Sequence, residues 1–150
     1  MDEIELEIIV KNFISVIPLF KKKLLHDNCG FNKNNFNHSH FQIMVVLKNK
    51  GKLPISEVAK KLFISTPNMT KLLNKLFDEG MIERTPDEKD RRIININLTK
   101  KGDMYLEDRF LEIQTSLKDK LSILPEDKLH KLNDSLTTLK EVLNEISSDI

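Results

Sequence analysis

Apolar positions recur at helical spacing along most of the chain and alternate in one short stretch. In residues 3–25, Leu6, Val10, Phe13, Ile17, Phe20 and Leu24 are spaced 4, 3, 4, 3, 4, a narrow seam on one helix that Pro18 should kink near residues 14–18. Residues 26–37 are a polar, Asn-rich connection; Asn37 can cap a second helix over residues 38–49, with Phe41, Met44, Val45 and Leu47 turning toward a core and Gly51 just past its end. Residues 55–62 predict a short helix with Ile55, Val58, Ala59 and Leu62 inward, and Phe63-Ile64 a turn. A longer helix opens at Ser65 or Thr66, tolerates Pro67 in its first turn, and carries Met69, Leu72, Leu73 and Leu76 on one face. Gly80 ends it. Residues 81–85 and 93–98 then predict a hairpin, with Ile94, Ile96 and Leu98 packed and Asn95 and Asn97 toward water. Helical period returns after the capping residue Thr99, through Leu106, Phe110, Ile113, Leu117, Leu121 and Leu124, until Pro125 breaks it. The last helix shows Leu129, Leu132, Leu136, Leu139, Leu143 and Ile146 spaced 3, 4, 3, 4, 3.

A short helix, a tight turn, a longer capped helix and a hairpin predict a winged helix-turn-helix core at residues 38–102. The flanking segments, 3–37 and 103–150, carry the long seams and read as dimerisation helices, because such seams pack on each other. The fold class is mainly α with a small β-hairpin wing. At 150 residues, with 39% hydrophobic and 31% charged residues, the chain fits one domain with such extensions. It has no apolar run of the roughly 20 residues a membrane span needs. Its acidic start (MDEIELEIIV) is neither a secretory signal nor a transit peptide, and Cys29 alone permits no internal disulfide, so a cytoplasmic protein is expected.

The net charge of +1 hides a division: residues 29–102 hold fourteen Lys or Arg against seven Asp or Glu, whereas residues 1–28 and 103–150 are net acidic. The basic excess falls on the expected DNA-reading elements, which makes double-stranded DNA the expected partner. The helix from Ser65 shows Asn68, Thr70, Lys71, Asn74 and Lys75 opposite its apolar face, with no acid before Asp78. The hairpin tip carries Lys89, Asp90, Arg91 and Arg92.

Asp90-Arg91-Arg92, followed after five residues by Leu98-Thr99 and then by Gly102, resembles the D-x-R-x5-L-T wing signature of the MarR family with its trailing glycine. Ile55-Ser56-Glu57-Val58-Ala59 with Leu62, and Asp78 to Arg84 (DEGMIER), are similar to that family's helix-turn-helix opening and helix-to-strand exit. The likeness covers essentially the whole chain. Pro54 departs from it where a capping Thr is common, and His40 where Gln is frequent.

The resemblance implies a homodimeric transcriptional regulator reading a near-palindrome, with recognition helices about 34–36 Å apart. Asn68 and Lys71 are expected at base edges, with Asn74 a weaker candidate. Ser65, Thr66, Thr70 and Lys75 are expected at phosphates; Pro67 is a further candidate for DNA contact, though its fit to the first turn of a helix is reason enough for its presence. In the wing, which carries Lys89, Arg91 and Arg92, one arginine would enter the minor groove, and Asp90 would orient the arginines or cap the turn. The family's habit of binding a small aromatic effector, commonly to relieve repression, points to Phe13, Ile17, His38, Phe41 and Phe110 as pocket candidates.

The rival within the same fold is a metal- or redox-responsive regulator, since His26, Cys29, His38 and His40 fall within fifteen residues. Zinc wants about four ligands, and the long helix after Thr99 offers no histidine, so neither metal nor cofactor is expected. No GxSxG, HExxH, P-loop or GxGxxG motif proposes an enzyme. A winged-helix interaction module without DNA binding is the alternative of another class, and the acid-free reading face argues against it.

Overall fold

The computed structural model describes residues 3–25 and 36–146. Helix α1 (Glu3–Phe20) runs through Pro18 and loosens into a π-helical turn at Lys21–Leu25. Helix α2 (His38–Lys50) begins as the sequence predicts, and the cap is reciprocal. The Asn37 side chain accepts from the His40 backbone N–H at 3.1 Å, and His40 Nδ1 accepts from the Asn37 N–H at 3.0 Å. The remaining elements are β1 (Leu53–Pro54), α3 (Ile55–Lys61), α4 (Thr66–Asp78), β2 (Ile82–Pro86), β3 (Ile94–Leu98), α5 (Lys100–Leu121) and α6 (Glu126–Ile146).

The sheet has three strands, in the order β1-β3-β2, where the sequence reading expected a two-stranded hairpin. Two residues are too few to show a period, so β1 becomes visible only through its pairing, Leu53 with Ile96 and Pro54 with Asn95. Strand β3 departs from strict alternation as well. Ile96 is fully buried, but Ile94 is exposed and Asn95 is buried, because the Asn95 amide donates to Asp87 Oδ1 at 2.9 Å and turns inward to do so. At α4, Ser65 occupies the N-cap, yet its hydroxyl makes no capping bond. Helix α5 ends at Leu121, three residues before the expected Leu124.

Ile43, Met44, Leu47, Val58, Met69, Leu73, Leu76, Ile96 and Leu106 form the centre of the core, drawn from α2, α3, α4, β3 and α5. The exit of α4 is tightly specified. Gly80 takes φ +71° and its N–H donates to Phe77 O, while the Met81 N–H donates to Leu76 O. Thr99 then ties this exit to the start of α5. Its hydroxyl donates to Gly80 O at 2.6 Å and accepts the Gly102 N–H at 3.1 Å, and its own N–H donates to Met81 O at 3.0 Å. Gly102 passes so close that a Cβ there would stand 2.1 Å from Met81 O. The leucine-threonine-glycine spacing seen in the sequence is therefore a joint: cap, tether and clearance in four residues.

The described residues form two compact units, one up to Gln114 and one from Thr115. In the first, α1 buries no residue and exposes Ile4, Leu6, Ile8, Ile9, Val10 and further apolar side chains. In the second, Leu129 and Leu132 of α6 are half-buried, while Leu136, Leu143 and Ile146 are exposed.

Two substitutions test the local argument. Gly102→Ala should lower the unfolding free energy by about 1–3 kcal/mol or more in urea denaturation, since Met81 O is backbone and cannot step aside. Phe63, in the turn between α3 and α4, holds φ +53° with 91% of its surface exposed, so its ring buries almost nothing. Phe63→Asn should raise stability by about 1 kcal/mol with an unchanged denaturant slope, because asparagine tolerates the left-handed region.

Candidate nucleic-acid interface

Helix α4 turns Met69, Leu73 and Leu76 into the core, which fixes what it shows outward. Asn68, Thr70, Lys71 and Asn74 are exposed, as are Ser65, Thr66 and Pro67 at its start. Lys71 and Asn68 have no side-chain partner among the described residues and stand ready for a ligand. The others are partly committed. The Thr70 hydroxyl donates to Thr66 O at 3.1 Å, and the Lys75 ammonium lies 5.7 Å from the centre of the Phe36 ring. Asn74 Oδ1 accepts from Arg84 Nη2 at 3.2 Å. A cleft of about 650 Å3 opens beside this face, lined by Ser39 and His40 of α2, Phe63 of the turn, and Ser65, Asn68 and Lys71.

The wing between β2 and β3 is organised by Asp87, a residue the sequence reading passed over. Its carboxylate accepts from the Lys89 N–H at 3.1 Å, the Asp90 N–H at 3.2 Å and the Asn95 amide at 2.9 Å. These bonds, led by the Asn95 amide, hold its pKa below the usual carboxylate value. The signal for it was an aspartate two and three residues before Lys89 and Asp90, the spacing at which a carboxylate closes an Asx turn. Asp90 plays a similar role one step on, accepting from the Arg92 N–H at 3.0 Å with Arg92 Nε 3.8 Å away. Arg91 has no side-chain partner among the described residues, and Lys89 is exposed.

The five pocket candidates are not all gathered. The Phe41 and Phe110 rings meet edge to face at 5.6 Å, whereas Phe13 and Ile17 lie exposed on α1 and His38 is exposed at the start of α2. Arg109, one residue before Phe110, was not foreseen. It is buried, donates to Glu112 Oε1 at 2.7 Å, stands 5.3 Å from the Tyr105 ring centre, and leaves Nε and Nη1 without a partner. Of the metal candidates, His26 and Cys29 lie outside the described residues, and His40 spends its Nδ1 on the α2 cap. Among the described residues no three His, Cys, Asp or Glu side chains gather as a metal site, and no helix is long and apolar enough to cross a membrane.

Residues 36–94 match the model of the MarR family. The chain is 24% identical over 127 residues to the HTH-type transcriptional regulator MhqR of Bacillus subtilis, covering 85% of this chain and 88% of that one. It is 27% identical over 116 residues to the HTH-type transcriptional repressor MdtR of the same organism, covering 77% and 75%. Among solved structures, a mutant of MarR from E. coli shares the fold with a TM-score of 0.71 at 22% identity, covering 89% of this chain and 95% of that chain. The same mutant complexed with operator DNA gives 0.59 at 20% identity, covering 93% and 99%.

Burial, and after it the nearby Lys75, lowers the pKa of His40, and the cap requires its unprotonated Nδ1. The folded chain therefore favours the neutral ring, so stability is flat above the unfolded value of about 6.5 and falls as pH drops below it. Thermal melts at pH 7.5 and 5 should show this loss, and His40→Gln, which can still reach back to the Asn37 N–H, should remove most of it.

Proposed function

We propose that this chain, whose residues 36–94 match the model of the MarR family, is a homodimeric transcriptional regulator of that family that reads a near-palindromic DNA site. The observation that carries the reading is the exposed face of α4, polar and free of acids from Ser65 to Phe77, beside a wing whose Arg91 has no partner among the described residues. Asn68 and Lys71 contact base edges in the major groove; Ser65, Thr66, Thr70 and Lys75 hold phosphates. Arg91 enters the minor groove, and Asp90 is spent on orienting Arg92. The apolar seams of α1 and α6, exposed in the single chain, supply the two-fold contact that sets the distance between reading helices.

Repression of neighbouring genes is the mode favoured by the name of the relative MdtR, and the operator complex of MarR supports DNA as the partner. Arg109 supports an anionic aromatic effector. Its Nη2 is already held by Glu112, and the two remaining unpartnered nitrogens, Nε and Nη1, are donors that suit a carboxylate.

A mobility-shift assay with promoter fragments at two salt concentrations tests the reading. The wild-type chain should retard a fragment at low salt and release it steeply as salt rises. Replacing Arg91 and Arg92 together by Ala should weaken binding broadly and reduce the slope of log affinity against log salt by about one to two. Unchanged affinity and slope would remove the wing from the interface, and a chain that retards no fragment would remove DNA.

A further inference from the structure

Arg84, the third residue of β2, reaches back over the second half of α4. Its guanidinium carbon stands 3.9 Å from the centre of the Phe77 ring, and its Nη2 lies 3.2 Å from Asn74 Oδ1. Asn74 and Phe77 are three residues apart on α4, so one planar cation covers both. Guanidinium nitrogens only donate, so the amide atom facing Arg84 must be oxygen. The Asn74 NH2 group is left outward, with no other partner among the described residues. Asn74 is exposed three residues beyond Lys71, on the side away from Met69, Leu73 and Leu76.

An unrestrained asparagine reads adenine with both ends, its oxygen accepting from N6 and its NH2 donating to N7. Beside Arg84 the first half of that contact is weakened, because one lone pair of the oxygen is taken and adenine N6–H would approach it next to the guanidinium's positive charge. The same charge polarises the amide and strengthens its NH2 as a donor. We propose that Arg84 makes Asn74 a donor-only reader, so that this point of the recognition helix selects an acceptor-rich base edge, guanine N7 and O6 foremost, and discriminates against adenine. Arg84 is thus a positioning residue that acts through Asn74. The inference rests on the DNA-reading function proposed above.

Selection of bound duplexes from a random pool tests it, with the full chain and its variants. Asn74→Ala identifies the base pair concerned, as the one whose preference disappears. There the wild-type chain should enrich guanine and deplete adenine. Arg84→Met keeps cover on Phe77 without the charge, and should shift the guanine-to-adenine ratio at that pair by about two- to tenfold toward adenine while leaving the other pairs alone. Arg84→Lys, which restores a cationic donor, should keep the guanine preference. Should Arg84→Met melt early, Asn74→Asp carries the same test: it keeps the pairing with Arg84, has no donor, and should lose guanine. Adenine preferred at that pair in the wild type, no change at any pair in Asn74→Ala, or an equal loss at all pairs in Arg84→Met would each overturn the proposal. A wild-type chain that enriches no sequence fails earlier and differently, taking the DNA-reading function with it.

Discussion

The carbonyl of Met81 is the fixed point of the winged helix. It accepts the Thr99 N–H at 3.0 Å and leaves no space for a side chain at residue 102. Three elements meet there: the Schellman exit of α4, the first residues of β2 after it, and the capped start of α5. Because β2 pairs with β3 from Ile82–Leu98 to Pro86–Ile94, fixing Met81 against Thr99 also fixes the register of the hairpin and so the position of the wing. The angle at which α4 is presented, and where the wing stands relative to it, follow from one backbone oxygen and a glycine that can approach it.

Around that point, polar side chains divide into those spent on the protein and those kept for a ligand. Asp87 takes three donors and shapes the wing; Asp90 takes the Arg92 N–H; Arg84 holds Asn74. Each of these contacts narrows the conformations of a neighbouring free group before any partner arrives, which reduces the ordering cost of binding. Lys71, Asn68 and Arg91 are among the groups left over in the described residues. In the proposed complex the basic excess of residues 29–102 would supply a long-range field, and the unpartnered donors local recognition.

The acidic ends of the chain fit the same division. The seams of α1 and α6 leave apolar side chains exposed in the single chain, and their acidic surroundings would be repelled by a phosphate backbone. In the proposed dimer these segments set spacing and stay off the duplex. Arg109, near the start of that region, is buried and paired with Glu112, and keeps two nitrogens unpartnered.

The sequence by itself determined the order of elements, the capping residues Asn37 and Thr99, the apolar faces, and which helix face would be polar and basic. Each of these depends on neighbours within one or two helical turns, so periodicity and composition report them directly. Only the tertiary structure decided what depends on partners far along the chain. Strand β1 exists because Leu53 meets Ile96; Asn95 is buried because Asp87, eight residues earlier, accepts its amide. Arg109 is buried by packing that no local pattern announces, and the amide of Asn74 has an orientation only because Arg84 folds back across α4. Hydrogen-bond direction between distant side chains is a property of the packed molecule, and no spacing of residue types encodes it.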